Sequence, residues 1–188
     1  RMETVEAIRK GKWCRLKDVR NDVKTISNRI PSGEIYIGME KIDSSTGDFV
    51  ESKEKEVVSS AARFKKGDIL FPKLRPYLNK VHRAQFDGFC STEFHVFEAH
   101  DIDPDYLTIV LRSSLTLAQT KHLMTGNTLP RLQTTDVEEL VIPNPDVSQQ
   151  VEIVKYIYGI KDKAKQLQKE GDALLEEAKQ EIEKMIIG

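Results

Sequence analysis

Residues Ser148–Ile187, SQQVEIVKYIYGIKDKAKQLQKEGDALLEEAKQEIEKMII, run without a proline or a cluster of turn formers. Within them Ile153, Ile157, Ile160, Ala164, Leu167, Gly171, Leu174, Ala178, Glu181 and Met185 follow one another at alternating steps of four and three. That is the seam of a heptad repeat, kept for more than four heptads, with only Glu181 polar. Leu175, Ile182 and Ile186 widen it near the end. At a rise of ~1.5 Å per residue such a helix reaches about 60 Å. A domain built from the rest of the chain is too small to cover a seam of that length. The pattern therefore predicts a partner helix, supplied by another chain or by a missing part of this one. The small side chains at Ala164, Gly171 and Ala178 permit close approach. The competing reading is a helix folded back on its own domain.

Upstream, Pro143-Asn144-Pro145 punctuates the chain, and the pattern before it is mixed. Strands are expected at Trp13–Val19, Glu34–Met39, Ile69–Phe71, Tyr77–Arg83 and Phe89–Glu98. Asn21–Gly33 reads as a polar loop and Asp43–Gly47 as a turn. Pro72 and Pro76 bracket Lys73-Leu74-Arg75, which is therefore an edge or a loop. Asp103-Pro104 supplies a cap and a first-turn proline for a helix, and Leu115–Met124 is expected to be helical. Thr135 with Glu138 has capping-box spacing, predicting a short helix before Leu140–Ile142. The predicted class is α+β: a compact domain with a mixed sheet over 13–145, then a long coiled-coil helix over 146–188. Residues 1–12 are a tail or a short helix.

The composition narrows the functional classes. Hydrophobic residues make up 39% of the 188 and charged residues 31%. No apolar run approaches the roughly 18 residues that span a bilayer. Arg1–Lys10 is charged and lacks the apolar core of a signal peptide. A chain opening on Arg1-Met2 is expected to be a cut from a longer protein or to have been trimmed at its start. Cys14 and Cys90 are too few for a disulfide framework or a zinc site, which points to reducing cytosol, with Cys90 in the core. The net charge of −1 conceals segregation. Lys53–Arg83 holds nine lysines and arginines against three acids, whereas Ala84–Val110 holds six acids and no base. A basic stripe is what phosphate contact requires, and it is also what an ordinary solvated face looks like.

Catalytic constellations are not evident. Asn144-Pro145-Asp146 starts like an amino-methyltransferase motif but lacks the second proline and the stacking aromatic. Pro145-Asp146 and Glu177-Ala178-Lys179 have the letters of a metal-dependent nuclease, with the second group on the heptad helix. His82, His95, His100 and His122 show no metal-ligand spacing, and His95 reads as a packed strand residue. No phosphate-binding glycine loop is present. No catalytic residue, metal or cofactor is expected.

Six segments, in order, resemble the specificity subunits of type I restriction-modification systems. They are Trp13-Cys-Arg-Leu-Lys-Asp-Val19; Tyr36-Ile-Gly-Met-Glu-Lys-Ile42 with Thr46-Gly47; Lys66-Gly-Asp-Ile-Leu-Phe-Pro-Lys-Leu-Arg-Pro-Tyr-Leu-Asn-Lys-Val81; Ser91-Thr-Glu-Phe-His-Val96; Gly126-Asn-Thr-Leu-Pro-Arg-Leu132; and Leu140-Val-Ile-Pro-Asn-Pro145 followed by Gln149-Gln150 and the helix. The resemblance spans about residues 13–187. It implies a target-recognition domain that reads half of a split target in double-stranded DNA. It also implies a spacer helix that docks methyltransferase (modification) subunits and, through them, the restriction subunit. The family's full subunit carries two recognition domains and two helices, and this chain has one of each. It is then a half-subunit that pairs with itself, a fragment, or the recognition part of a fused restriction-methylation enzyme. A coiled-coil assembly module that reads protein and an enzyme with an unrecognised site are the rival classes.

On residue type, Lys73, Arg75, Lys80 and Arg83 suit phosphates, with Lys65 and Lys66 beside them. Asn127, Thr128, Arg131 and Gln133 lie on a polar loop and suit base edges or backbone. Arg20, Lys24, Asn28 and Arg29 are loop candidates for base readout. Structural roles compete: Arg75 in an ion pair with Glu93 or Asp68, Asn79 capping a turn, Tyr77 in the core, and Arg131 anchoring its loop to the domain.

Overall fold

The computed structural model describes residues 11–23, 25–51, 60–121, 123 and 130–187. The chain divides into two compact units, Arg1–Gln150 and Val151–Gly188. The first unit is α+β. Its strands are β1 (Trp13–Arg15), β2 (Arg20–Asp22), β3 (Ile26–Ser27), β4 (Tyr36–Ile37), β5 (Ala61–Phe64), β6 (Ile69–Pro72), β7 (His82–Arg83), β8 (Gly88–Ser91), β9 (Phe94–Ala99) and β10 (Val141–Pro143). Its helices are α1 (Pro104–Leu111), α2 (Ser114–Lys121) and α3 (Thr134–Glu138); α4 (Val147–Ile187) begins in this unit and makes up the described part of the second. Among the described residues no helix is long and apolar enough to cross a membrane.

Three sheets form. β1 and β10 pair antiparallel, with Cys14 opposite Ile142, so the two ends of the domain close on each other. One four-stranded sheet has the order β2-β9-β6-β7, the other β3-β5-β8-β4, in which only β4 and β8 run parallel. Ile37, Ala62, Phe64, Leu70, Cys90, Phe94 and Val96 draw both larger sheets into one buried cluster. Burying such side chains contributes about 1.5–3 kcal/mol each, before conformational entropy is charged against it.

The expected strand over Phe89–Glu98 is two strands in different sheets. Thr92 and Glu93 form the turn between β8 and β9, so one apolar run serves both sheets. Tyr77–Arg83 is a strand only at His82–Arg83, because Pro76–Leu78 coils into a 3-10 turn. The expected loop Asn21–Gly33 contains β2 and β3, whose pairing with β9 and β5 overrides their polar composition. Trp13–Val19 breaks after Arg15 into a 3-10 turn, and β4 covers only Tyr36–Ile37. Strand β5, which lies within the basic stretch Lys53–Arg83, was not expected. The capping box of α3 uses Gln133 and Asp136, two residues earlier than Thr135 and Glu138. Asp103 caps α1 as expected, accepting from the Tyr106 amide at 2.8 Å. The expected helix 148–187 is α4.

Candidate nucleic-acid interface

Two segments that the sequence presents fifty-odd residues apart are one structure. Leu74 and Arg131 form an antiparallel bridge. The Arg75 amide donates to Pro130 O at 2.9 Å, and the Leu132 amide donates to Lys73 O at 2.9 Å. The β8–β9 turn completes the cluster: the Lys73 amide donates to Glu93 O at 2.8 Å, and Lys73 Nζ donates to Thr92 O at 2.8 Å. Burial lowers the Lys73 pKa, and the Glu93 charge opposes that shift. Arg131 Nη2 lies 2.8 Å from the Glu93 carboxylate. Glu93 thus pairs with Arg131 and not with Arg75, the partner considered for it from the sequence.

Arg75 is exposed, and among the described residues no carboxylate pairs with its guanidinium. Its backbone is left-handed, φ 48°, immediately before Pro76; Asn79, after the 3-10 turn, is left-handed too at φ 53°. A non-glycine residue held there costs on the order of 1–3 kcal/mol. Asn79 is anchored by Nδ2, which donates to Arg112 O at 3.0 Å. The loop between them holds Tyr77 half-exposed. Gln133 stands at the N-cap of α3, its amide donating to Asp136 at 3.1 Å.

Other candidates are placed elsewhere. Lys80 Nζ is taken by Met39 O at 2.8 Å, and Arg83 pairs with Asp105 of α1 at 2.5 Å, so both are engaged inside the fold. Arg20, expected on a loop, is buried on β2; it pairs with Asp22 and with Glu138, and its guanidinium lies 5.4 Å from the Phe97 ring centre. The register of β2 against β9 turns it onto that ring. Lys65 and Lys66 are exposed between β5 and β6, and Asn28 and Arg29 are exposed after β3. Lys24, Lys53, Lys55, His122, Asn127 and Thr128 lie outside the described residues.

A cleft of about 260 Å³ opens beside Lys73, lined also by Asp22, Ile26, Phe94, His95 and Thr134. His95 is buried, and burial, reinforced by the charges of Lys73 and Arg20, pushes its pKa down to about 3. It is a neutral packed residue, as its place on an aromatic strand suggested. Among the described residues no group of three His, Cys, Asp or Glu side chains is placed to hold a metal ion.

On α4 the seam is open. Ile153, Ile160, Leu167, Leu174 and Met185 are exposed, Leu174 by 66% and Met185 by 84%. Charge along the helix is divided: residues 151–169 carry five lysines and two acids, residues 170–187 two lysines and six acids.

The model of the type I restriction modification DNA specificity domain matches residues 5–184. The EcoDI specificity subunit of Escherichia coli is 27% identical over 149 residues, which are 77% of this chain and 33% of that protein. The HsdS subunit of Thermoanaerobacter tengcongensis superposes with a TM-score of 0.65 at 26% identity, over 83% of this chain and 43% of that one. A structure solved in work on complex assembly and conformational transition of the type I R-M system gives 0.65 at 27% identity, over 85% and 44%. The chain thus spans from a third to under half of the length of these relatives. The S subunit from M. genitalium, at 12% identity and a TM-score of 0.54, shares the fold. With the family model covering nearly the whole chain and the same α+β domain and long helix in its relatives, the chain belongs to the type I restriction modification DNA specificity domain family.

Proposed function

We propose that this chain reads one half of a split target in double-stranded DNA and supplies recognition rather than chemistry. The observation that carries the reading is the paired loop at Leu74 and Arg131. It gathers Lys73, Arg75, Arg131 and Gln133 on one rigid edge and displays Arg75 from a strained, exposed backbone. Groove readout needs donors held on loops by a stiff scaffold, and such strain is characteristic of functional sites. Arg75 and Arg131, with Arg29, are the contacts assigned first. Lys73 stiffens the edge, and Lys80 and Arg83 serve the fold.

The helix supplies assembly. The open seam pairs with a second copy or with another recognition half. The basic first part and acidic second part of α4 are matched when two such helices run antiparallel, since each basic segment then faces an acidic one. Methyltransferase subunits, and through them the restriction subunit, dock on the paired assembly. In a paired helix the separation of half-sites is a geometric property.

The test is the salt dependence of duplex binding. Arg75→Gln is expected to weaken binding and to lower the slope of log K against log salt by about 0.9, one phosphate contact. An unchanged slope removes Arg75 from the interface.

A further inference from the structure

The proposed interface contains an acid at its centre. Glu93 sits on the β8–β9 turn, where the two basic segments meet. Its amide donates to Ser91 Oγ at 3.2 Å, and its carbonyl accepts from the Lys73 amide at 2.8 Å, so its main chain is held from both sides. Its carboxylate reaches Arg131 at 2.8 Å. The two side chains are 29% and 49% exposed.

The domain does not depend on this ion pair to place Arg131. Main-chain bonds do that, through the Leu74–Arg131 bridge and the Leu132 amide on Lys73 O. A pair this exposed adds little to stability. Its electrostatic effect on an incoming polyanion is larger. An arginine that already has a carboxylate beside it neutralises less phosphate charge, so its contact releases fewer of the cations condensed on the DNA. Sequence-independent affinity rests on that release. The near-neutral charge of the whole chain is thus repeated locally, with an acid set against the arginine of the presented edge.

We propose that Glu93 is a specificity-determining residue: by occupying Arg131 it holds down affinity for duplex DNA of arbitrary sequence. A correct target offers enough further contacts to displace the carboxylate, and an arbitrary sequence does not. Glu93 acts through Arg131 and is a positioning residue rather than a base reader. This inference rests on the DNA-reading function proposed above.

The experiment measures binding of the full chain to a mixed-sequence 30-base-pair duplex over a salt series. The proteins are the unaltered chain, E93Q, R131Q, the double variant E93Q/R131Q, and E98Q. Glu98 is an exposed acid on β9, so E98Q makes the same charge change away from Arg131. E93Q is expected to bind roughly fivefold more tightly, with a slope steeper by about 0.9. The double variant is expected to match R131Q, and E98Q to change little. Thermal melting of each variant checks folding, and E93A replaces E93Q if the latter is unfolded. Binding by the unaltered chain with no gain in E93Q, an equal gain in E98Q, or a gain that survives in the double variant overturns the role of Glu93 alone. No binding by any of the proteins at low salt overturns both this role and the DNA-reading function.

Discussion

Residue types marked which side chains were worth placing, but partners decided their roles. Arg20 and Arg131 look alike in sequence, each beside polar loop residues. The pairing of β2 with β9 buries the first on Phe97, whereas the bridge to Leu74 presents the second. No local signal separates them, because both pairings are long-range. Histidine behaves in the same way. His95 and His82 are buried and lowered in pKa by burial, although His82 Nδ1 donates to Gly47 O at 2.8 Å. Between about pH 3 and the ordinary 6.5, the unfolded chain binds a proton that folded His95 refuses. Stability therefore is full above pH 6.5 and falls as the pH drops towards 3. His95→Gln removes that proton. The melting temperature of the variant should fall less than that of the unaltered chain between pH 7.5 and pH 5. Equal falls would show that His95 is not held neutral by the fold.

Elements were legible where periodicity is long and sustained. The α4 helix begins within one residue of its expected start, since twelve apolar or small positions repeat the same signal. Asp103-Pro104 gave the start of α1 because the cap is a local device. Short strands were harder. β8 and β9 merge into one apolar run, and only the turn at Thr92-Glu93, without glycine or proline, separates them. β2, β3 and β5 take their conformation from their neighbours in the sheets. Gln149-Gln150 was visible as a motif, yet its role was not. Gln150 is buried; it accepts from the Asp103 amide at 2.8 Å and donates to Asn144 and Pro145, tying the first turn of α4 to the cap of α1. At this scale the prediction concerns the seam. Leu167→Glu with Leu174→Glu places charge on exposed seam positions and should abolish helix pairing in sedimentation while leaving the circular dichroism melt of the domain within about 2 °C, as expected of surface changes worth under ~0.5 kcal/mol. An unchanged oligomer would mean that the seam does not pair.

At the scale of the molecule, the α+β class, the long helix and the family were all legible. The six segments in order carried the family and, with it, the expectation of DNA, whereas the division of charge within a near-neutral total fitted a solvated face as well. The interface itself was legible only in part. Lys73, Arg75, Arg131 and Gln133 were named singly, but their union depends on a bridge between residues 74 and 131 that no local pattern encodes. Glu93 was legible only as a competing partner for Arg75, because an acid in a basic interface has no signature of its own. The central claim, that the chain reads half of a split DNA target, is tested most directly by selection from a random-sequence duplex pool, with and without the methyltransferase subunit, across a salt series. The account predicts enrichment of a bipartite motif of constant spacing, with affinity falling steeply as salt rises. Enrichment of no motif even with the methyltransferase subunit present would contradict it and leave assembly through the helix as the function.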